Sequence, residues 1–210
     1  MSNKIEKVAV LGAGTMGSQI AGHLANAGIP SCLFDISQEL AEKGVGILTS
    51  LKPAPLYKPK NIELIEACNY DQHLEKIKEV DWVLEAVAEN LEIKHKVYNN
   101  IMDFIKDTTI VSSNTSGIPL ADLTEVMSED VKKRFLITHF FNPPRYMRLL
   151  ELVKGPNTSD DVYNNMASFG ENILGKGIVH AKDTPNFVGN RIGVHGGNNA
   201  IRLAIEMGLT

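Results

Sequence analysis

Val8-Ala9-Val10-Leu11 runs directly into Gly12-Ala13-Gly14-Thr15-Met16-Gly17, and the reading of these ten residues decides the fold. Four consecutive apolar residues suit a strand covered on both faces, as strands of a parallel sheet are. The glycines fit G-x-G-x-x-G at the point where the strand gives way to a helix. Gly12 permits the tight turn, Gly14 lets the backbone approach a diphosphate, and Gly17 lets the helix pack close to the strand. With Thr15 and Met16 opening the helix, free N–H groups and the helix dipole then face an anion.

Outward from this unit, Met16–Ala27 reads as a helix with Ile20 and Leu24 one turn apart, ended by Gly28-Ile29-Pro30, and Ser31 to Phe34 as the second strand. Asp35 follows that strand, eighteen residues after Gly17. A carboxylate there accepts hydrogen bonds from a ribose 2′-OH and repels a 2′-phosphate, so the predicted cofactor is NAD. Further strands are predicted at Asp81–Glu85, Thr109–Ser112, Phe135–Thr138 and Leu149–Val153. Helices are predicted over Leu91–Phe104, over Leu120–Met127 and from Ser159-Asp160-Asp161 onward. The alternation specifies an α/β fold, a doubly wound Rossmann-type sheet with helices on both faces. Lys52-Pro53-Ala54-Pro55 and Lys58-Pro59-Lys60 break the pattern and predict an exposed loop.

After Asp183-Thr184-Pro185 a long helical stretch runs from Asn186 to about Met207, with no partner element in the chain. The expected division is therefore a cofactor domain over residues 1–184, and over 185–210 the first helix of a truncated helical C-terminal domain.

With 21 basic and 25 acidic residues the formal charge is −4, and the basic residues are dispersed. That argues against a nucleic-acid surface. No apolar run approaches membrane-spanning length and the start is polar, so membrane insertion is not expected and the cytoplasm is the simplest location. Cys32 and Cys68 stand at no metal-ligand spacing, so they are read as core thiols and no metal site is expected.

Open α/β sheets bind ligands beyond the carboxyl ends of their strands, which singles out Glu85 to Lys94, Ser113-Asn114-Thr115-Ser116 and His139-Phe140-Phe141-Asn142-Pro143. These segments, with Glu151 and Asp183-Thr184-Pro185 through Asn190-Arg191, resemble the 3-hydroxyacyl-CoA dehydrogenase family in order and spacing. The resemblance extends from the glycine loop to the last helix. The wording around Arg145-Tyr146 and Leu149-Leu150-Glu151 looks most like the bacterial fused fatty-acid β-oxidation enzymes.

The resemblance implies NAD-dependent oxidation of an L-3-hydroxyacyl-CoA to the 3-ketoacyl-CoA, with His139 as base, Glu151 orienting it, and Ser116 and Asn190 positioning the substrate. Glu89, Lys94 and Asn142 match family positions near the cofactor, and Lys94 is also placed to face an anionic CoA ester. The resemblance further implies a homodimer in the full-length form. Imidazole suits the removal of an alcohol proton near neutral pH, and a carboxylate on its other nitrogen fixes the tautomer. His23, His73, His95, His180 and His195 are read as hydrogen-bonded structural residues.

Overall fold

The structure, a computed structural model, describes residues 4–209. Its sheet is built from β1 (Val8–Leu11), β2 (Ser31–Asp35), β3 (Ile65–Asn69), β4 (Trp82–Glu85), β5 (Ile110–Ser113), β6 (Phe135–Phe140), β7 (Leu149–Lys154) and β8 (Gly177–Ala181). The helices are α1 (Thr15–Asn26), α2 (Gln38–Gly46), α3 (Leu91–Ile101), α4 (Leu120–Leu123), α5 (Glu129–Lys132), α6 (Asp160–Asn172) and α7 (Gly189–Glu206).

The strands form one sheet in the order β3-β2-β1-β4-β5-β6-β7-β8. All pairs are parallel except β6 with β7. The chain winds outward from β1 in one direction through β2 and β3, then returns to β4 on the other side. The crevice beyond the carboxyl ends of β1 and β4 is therefore the topological switch point at which such sheets bind ligands.

Alternation along each strand divides the core between two faces. Val8, Val10, Leu33, Trp82, Leu84, Ile110 and Leu136 pack with Ile20 and Leu24 of α1 and Met166 and Phe169 of α6. Ala9, Leu11, Cys32, Phe34 and Val83 face Val97 and Ile101 of α3, and Val111, Phe135 and Ile137 continue that face beneath α4 and α5. Several polar groups inside this core pair with one another, whereas Ser31 Oγ, Tyr70 Oη and His23 Nδ1 are buried without a hydrogen-bond partner. Trp82 Nε1 donates to Ser112 Oγ at 2.9 Å, which in turn shares a hydrogen bond of 2.8 Å with Thr138 Oγ1.

Two strands, β3 and β8, have no counterpart in the expectations from sequence. Both lie on sheet edges, and each has partly exposed side chains, so neither shows the continuous apolar run that marks a central strand. Of the helix expected over Leu120–Met127 only Leu120–Leu123 is helical, and a second short helix follows at Glu129–Lys132. Thr124 Oγ1 donates back to Leu120 O at 3.0 Å as the first one ends, and Ser128 accepts from the Val131 N–H to cap the second. The Lys52–Lys60 loop is largely exposed, as expected, and it is also anchored. Arg145 Nη1 donates to Ala54 O at 2.5 Å and Leu56 O at 2.9 Å, and its guanidinium lies over the Tyr57 ring at 4.4 Å.

The five other histidines all take hydrogen bonds: His23 with Leu174 O, His73 with the Asn69 N–H, His95 with Asp122 O, His180 with the Tyr163 hydroxyl and His195 with Asn199. Cys32 and Cys68 are buried, as expected of core thiols. Pairing of β2 with β3 nevertheless brings their sulfurs and a Glu66 oxygen within 4.8 Å of one another, a juxtaposition that spacing along the chain does not reveal. Among the described residues, no helix is long and apolar enough to cross a membrane.

Two outcomes follow from this packing. A Cβ on Gly17 would lie 1.8 Å from Gly12 O, whereas one on Gly14 meets nothing within 4 Å. Gly17→Ala is expected to lose about 1–3 kcal/mol or more, while Gly14→Ala keeps its thermal midpoint; equal midpoints for the two variants contradict the turn geometry.

His23 is buried, and burial, with the charge of Lys176 nearby, pushes its pKa down to about 4. Its neutral form is therefore part of the fold, and the stability that this contributes is present above the unfolded pKa near 6.5 and lost as pH falls toward 4. The loss amounts to up to about 3 kcal/mol. Urea unfolding between pH 7 and pH 4 is expected to show a shallower acid decline for His23→Gln than for the parent; parallel profiles refute it.

Candidate functional site

The glycine turn leaves the first turn of α1 without a protein cap. Gly14 stands at its N-cap position, no side chain accepts from its first amides, and no acidic residue lies in that turn. Unsatisfied N–H groups and the positive end of the helix dipole thus meet the open space that a Gly14 side chain would fill. This arrangement fits the diphosphate of a dinucleotide.

Asp35 closes β2 beside the same turn. Its Oδ2 accepts from the Ala13 N–H at 2.8 Å and its Oδ1 from the Ile36 N–H at 2.7 Å, fixing the carboxylate at the mouth of the crevice. A cavity of about 320 Å³ runs between Gly14, Thr15, Asp35 and α2, and a second of about 340 Å³ between Gly12, Gly14, Asp35, Ala86 and Val87.

On the far side of the turn a cavity of about 350 Å³ is lined by Met16, Glu89, Lys94, Asn114, Ser116, His139, Phe141, Asn142 and Asn190, among others. The sequence-predicted residues from six separate segments therefore converge. Gly12, Gly14, Thr15, Gly17 and Asp35 form the turn side, while Met16, Glu89, Lys94, Ser116, His139, Asn142 and Asn190 line the cavity beyond it. Glu151 sits behind His139, away from the opening.

The dyad is a consequence of strand register. β6 and β7 are antiparallel, and His139 stands directly opposite Glu151, so the two side chains share a face. His139 Nδ1 lies 2.7 Å from Glu151 Oε2, with Glu151 wholly buried. Among the described residues, no protein group is bonded to the other ring nitrogen, Nε2. The Phe141 and Phe187 rings flank the imidazole, with centroids at 4.5 and 5.7 Å.

The second oxygen of Glu151 binds the helix that opens the C-terminal segment. Oε1 accepts from the Val188 N–H at 2.9 Å and the Gly189 N–H at 2.7 Å, at the start of α7. To present both amides, the chain passes through left-handed backbone at Asn186 and Phe187, with φ of 64° and 44°. Such values are uncommon for a side chain as bulky as Phe, and strain of this kind persists only where the surroundings fix it. Here the buried Phe187 ring and the two bonds to Glu151 do so. A Cβ on Gly189 would meet the Phe141 ring at 2.7 Å, so the helix can approach only with glycine at this position.

One expectation changes. The last helix begins at Gly189 and not at Asn186, because of that left-handed pair. Lys94 stands in the cavity wall but is only 1% exposed, its ammonium held by Glu85 at 2.7 Å and Glu89 at 3.2 Å.

Ser116 lines the cavity with its hydroxyl 3.2 Å from Glu89 Oε1, which also accepts from Thr115 Oγ1 at 2.6 Å and the Ser116 N–H at 2.8 Å. Partial burial raises the Glu89 carboxyl, but these hydrogen bonds and the charge of Lys94 outweigh it and hold the carboxyl below its usual range. Asn142 Oδ1 accepts from Gln19 Nε2 at 3.2 Å.

Residues not singled out individually from sequence include Gln19, Asn114, whose side chain accepts the Phe140 N–H at 2.9 Å, and Glu85. The signal for Glu85 was present: a carboxylate ending the otherwise apolar strand Trp82-Val83-Leu84.

Over residues 7–184 the chain matches the family described as 3-hydroxyacyl-CoA dehydrogenase, NAD binding domain. It is 46% identical to a probable 3-hydroxyacyl-CoA dehydrogenase of Bacillus subtilis, over 93% of this chain and 28% of that protein. It is 42% identical to a putative fatty acid oxidation complex trifunctional enzyme of Rickettsia felis, over 92% of this chain and 28% of that protein. The structure superposes on (S)-3-hydroxybutyryl-CoA dehydrogenase PaaH1 of Ralstonia eutropha with a TM-score of 0.80 and 34% identity, covering 90% of this chain and 68% of that one. The chain thus spans little more than a quarter of the length of these two curated relatives. The uncapped glycine turn, the acid closing β2 and the convergence at the sheet's carboxyl edge accord with that match, and the chain belongs to the 3-hydroxyacyl-CoA dehydrogenase family, as its NAD-binding domain.

Proposed function

We propose that this chain supplies the NAD site and the base for oxidation of an L-3-hydroxyacyl-CoA to a 3-ketoacyl-CoA, a step of fatty-acid β-oxidation. The observation that carries the reading is the His139–Glu151 pair, with Nε2 unpaired at the cavity that adjoins the glycine turn.

Bound NAD supplies the hydride acceptor. The chain's own residues do the rest. His139 Nε2 takes the proton of the 3-hydroxyl as the hydride leaves C3, and Glu151 holds Nδ1–H and balances the charge that the ring gains. Ser116 and Asn190 position the reacting carbon, from the β5 loop and the first turn of α7. Gly12, Gly14, Thr15, Met16 and Gly17 cradle the diphosphate, Asp35 takes the adenosine ribose, and Glu89, Lys94 and Asn142 border the nicotinamide end.

α7 is read as the start of a second, helical domain that covers the substrate side and carries a homodimer contact. What supports this is its exposure: Ile192, Val194, Ile201, Leu203 and Ile205 all face solvent, more apolar surface than one isolated helix normally leaves bare. The greater length of the relatives is consistent with it.

In a protein extended to the relatives' length, acetoacetyl-CoA is expected to oxidise NADH, followed by loss of absorbance of the reduced nicotinamide. His139→Gln should lower the rate by at least about a hundredfold, the scale of a general base, and leave NADH binding in place; a near-normal rate removes His139 as base. Asp35→Ala should weaken NADH binding about tenfold by calorimetry, the scale of one hydrogen bond to a charged group, and unchanged affinity contradicts the ribose assignment.

A further inference from the structure

The geometry points to Glu85 as a positioning residue for the cofactor site: a carboxylate that meets neither cofactor nor substrate and acts by holding the Lys94 ammonium in the cavity wall. This rests on the reading that Lys94 serves the cofactor.

Glu85 ends β4 at the centre of the sheet, in register with Leu11 on β1 and Ser113 on β5. Its side chain is fully buried. A carboxylate in such a place needs a full set of donors, and Glu85 has one. Oε1 accepts from Lys94 Nζ at 2.7 Å and the Val87 N–H at 2.8 Å, and Oε2 from Tyr98 Oη at 2.9 Å and Ser113 Oγ at 2.6 Å. With two donors on each oxygen, the group cannot turn without losing bonds on both sides. Burial and the adjacent Glu85 charge push the Tyr98 phenol well above its usual range, so it remains a donor.

Lys94 thus stands between two unequal acids. Glu85 is fixed and dry, while Glu89, 3.2 Å from Nζ, is half exposed at the cavity edge. Without Glu85 the ammonium keeps only Glu89, which Thr115 and Ser116 hold at the cavity edge, and it shifts toward that edge and out of its place beneath the cavity wall. For stability alone an apolar pair of similar volume serves as well as a buried ion pair. Placement in the wall of the cavity gives this pair a ligand on which to act.

The test is NADH titration of the full chain, followed by nicotinamide fluorescence, in a double-mutant cycle. Glu85→Gln is expected to weaken NADH binding about tenfold, the scale of one lost hydrogen bond to a charged group. In the Lys94→Met background the same change is expected to add less than about twofold, since the group it positions is gone. Unchanged affinity in Glu85→Gln overturns the inference, as does an equal loss in both backgrounds, which marks general damage to the fold. Lys94→Met with parental affinity sinks the reading of Lys94 itself; a weakened Lys94→Met beside an unaffected Glu85→Gln sinks only the role of Glu85. Should Glu85→Gln not fold, Glu85→Asp keeps the charge and retracts it by one methylene. It is then run through the same cycle, with about a threefold loss expected, on the scale of part of such a bond, and confined to the Lys94 background; a loss equal in both backgrounds, or none in either, overturns the inference.

Discussion

A single buried carboxylate joins the parts of this molecule that matter to its chemistry. Glu151 lies in the middle of β7, with one oxygen on the imidazole of His139 and the other on the first amides of α7. Each such charge-assisted bond contributes about 1.5–3 kcal/mol, and the positive end of the helix dipole adds to them. Stripped of these donors, a carboxylate at this depth would cost several kcal/mol. The position of the ring, the direction of α7 and the placing of Asn190 on the cavity wall are therefore set together. The left-handed backbone at Asn186 and Phe187 is the local strain that this joint arrangement requires.

Glu85 plays a parallel part at the sheet's switch point. Both acids are wholly buried, both use both oxygens, and both lie behind the cavity. Each holds a basic side chain that lines the cavity: Glu151 the imidazole of His139, Glu85 the ammonium of Lys94. The parallel sheet makes this possible, because the carboxyl ends of β4 and β5 and the antiparallel pair β6–β7 bring residues far apart in the chain to one edge.

Much of this was legible before any coordinates. The central strands read clearly because they are buried on both faces, and the glycine turn read clearly because a tight turn, an approach to phosphate and a close helix each exclude a Cβ. The His139–Glu151 pairing was legible only through the family resemblance, which implies that Glu151 orients His139; antiparallel register is what sets the two residues opposite each other. Edge strands β3 and β8 were not legible, since one-sided burial leaves a mixed pattern. Nor was the entry into α7: Asn186 and Phe187 carry no local sign of left-handed backbone, which is imposed by Glu151 from 37 residues away. The burial of Lys94 was missed for a similar reason, because a lysine in the first turn of a helix reads as solvated unless the acid beneath it is known.

The central claim is that Glu151 accepts from Nδ1 of His139 and leaves Nε2 bare for the substrate. Long-range proton–nitrogen correlation of the histidine rings by NMR, with His139→Gln for assignment, measures this directly. A neutral His139 ring carrying its proton on Nδ1 is the predicted result; a ring protonated on Nε2 instead contradicts the account.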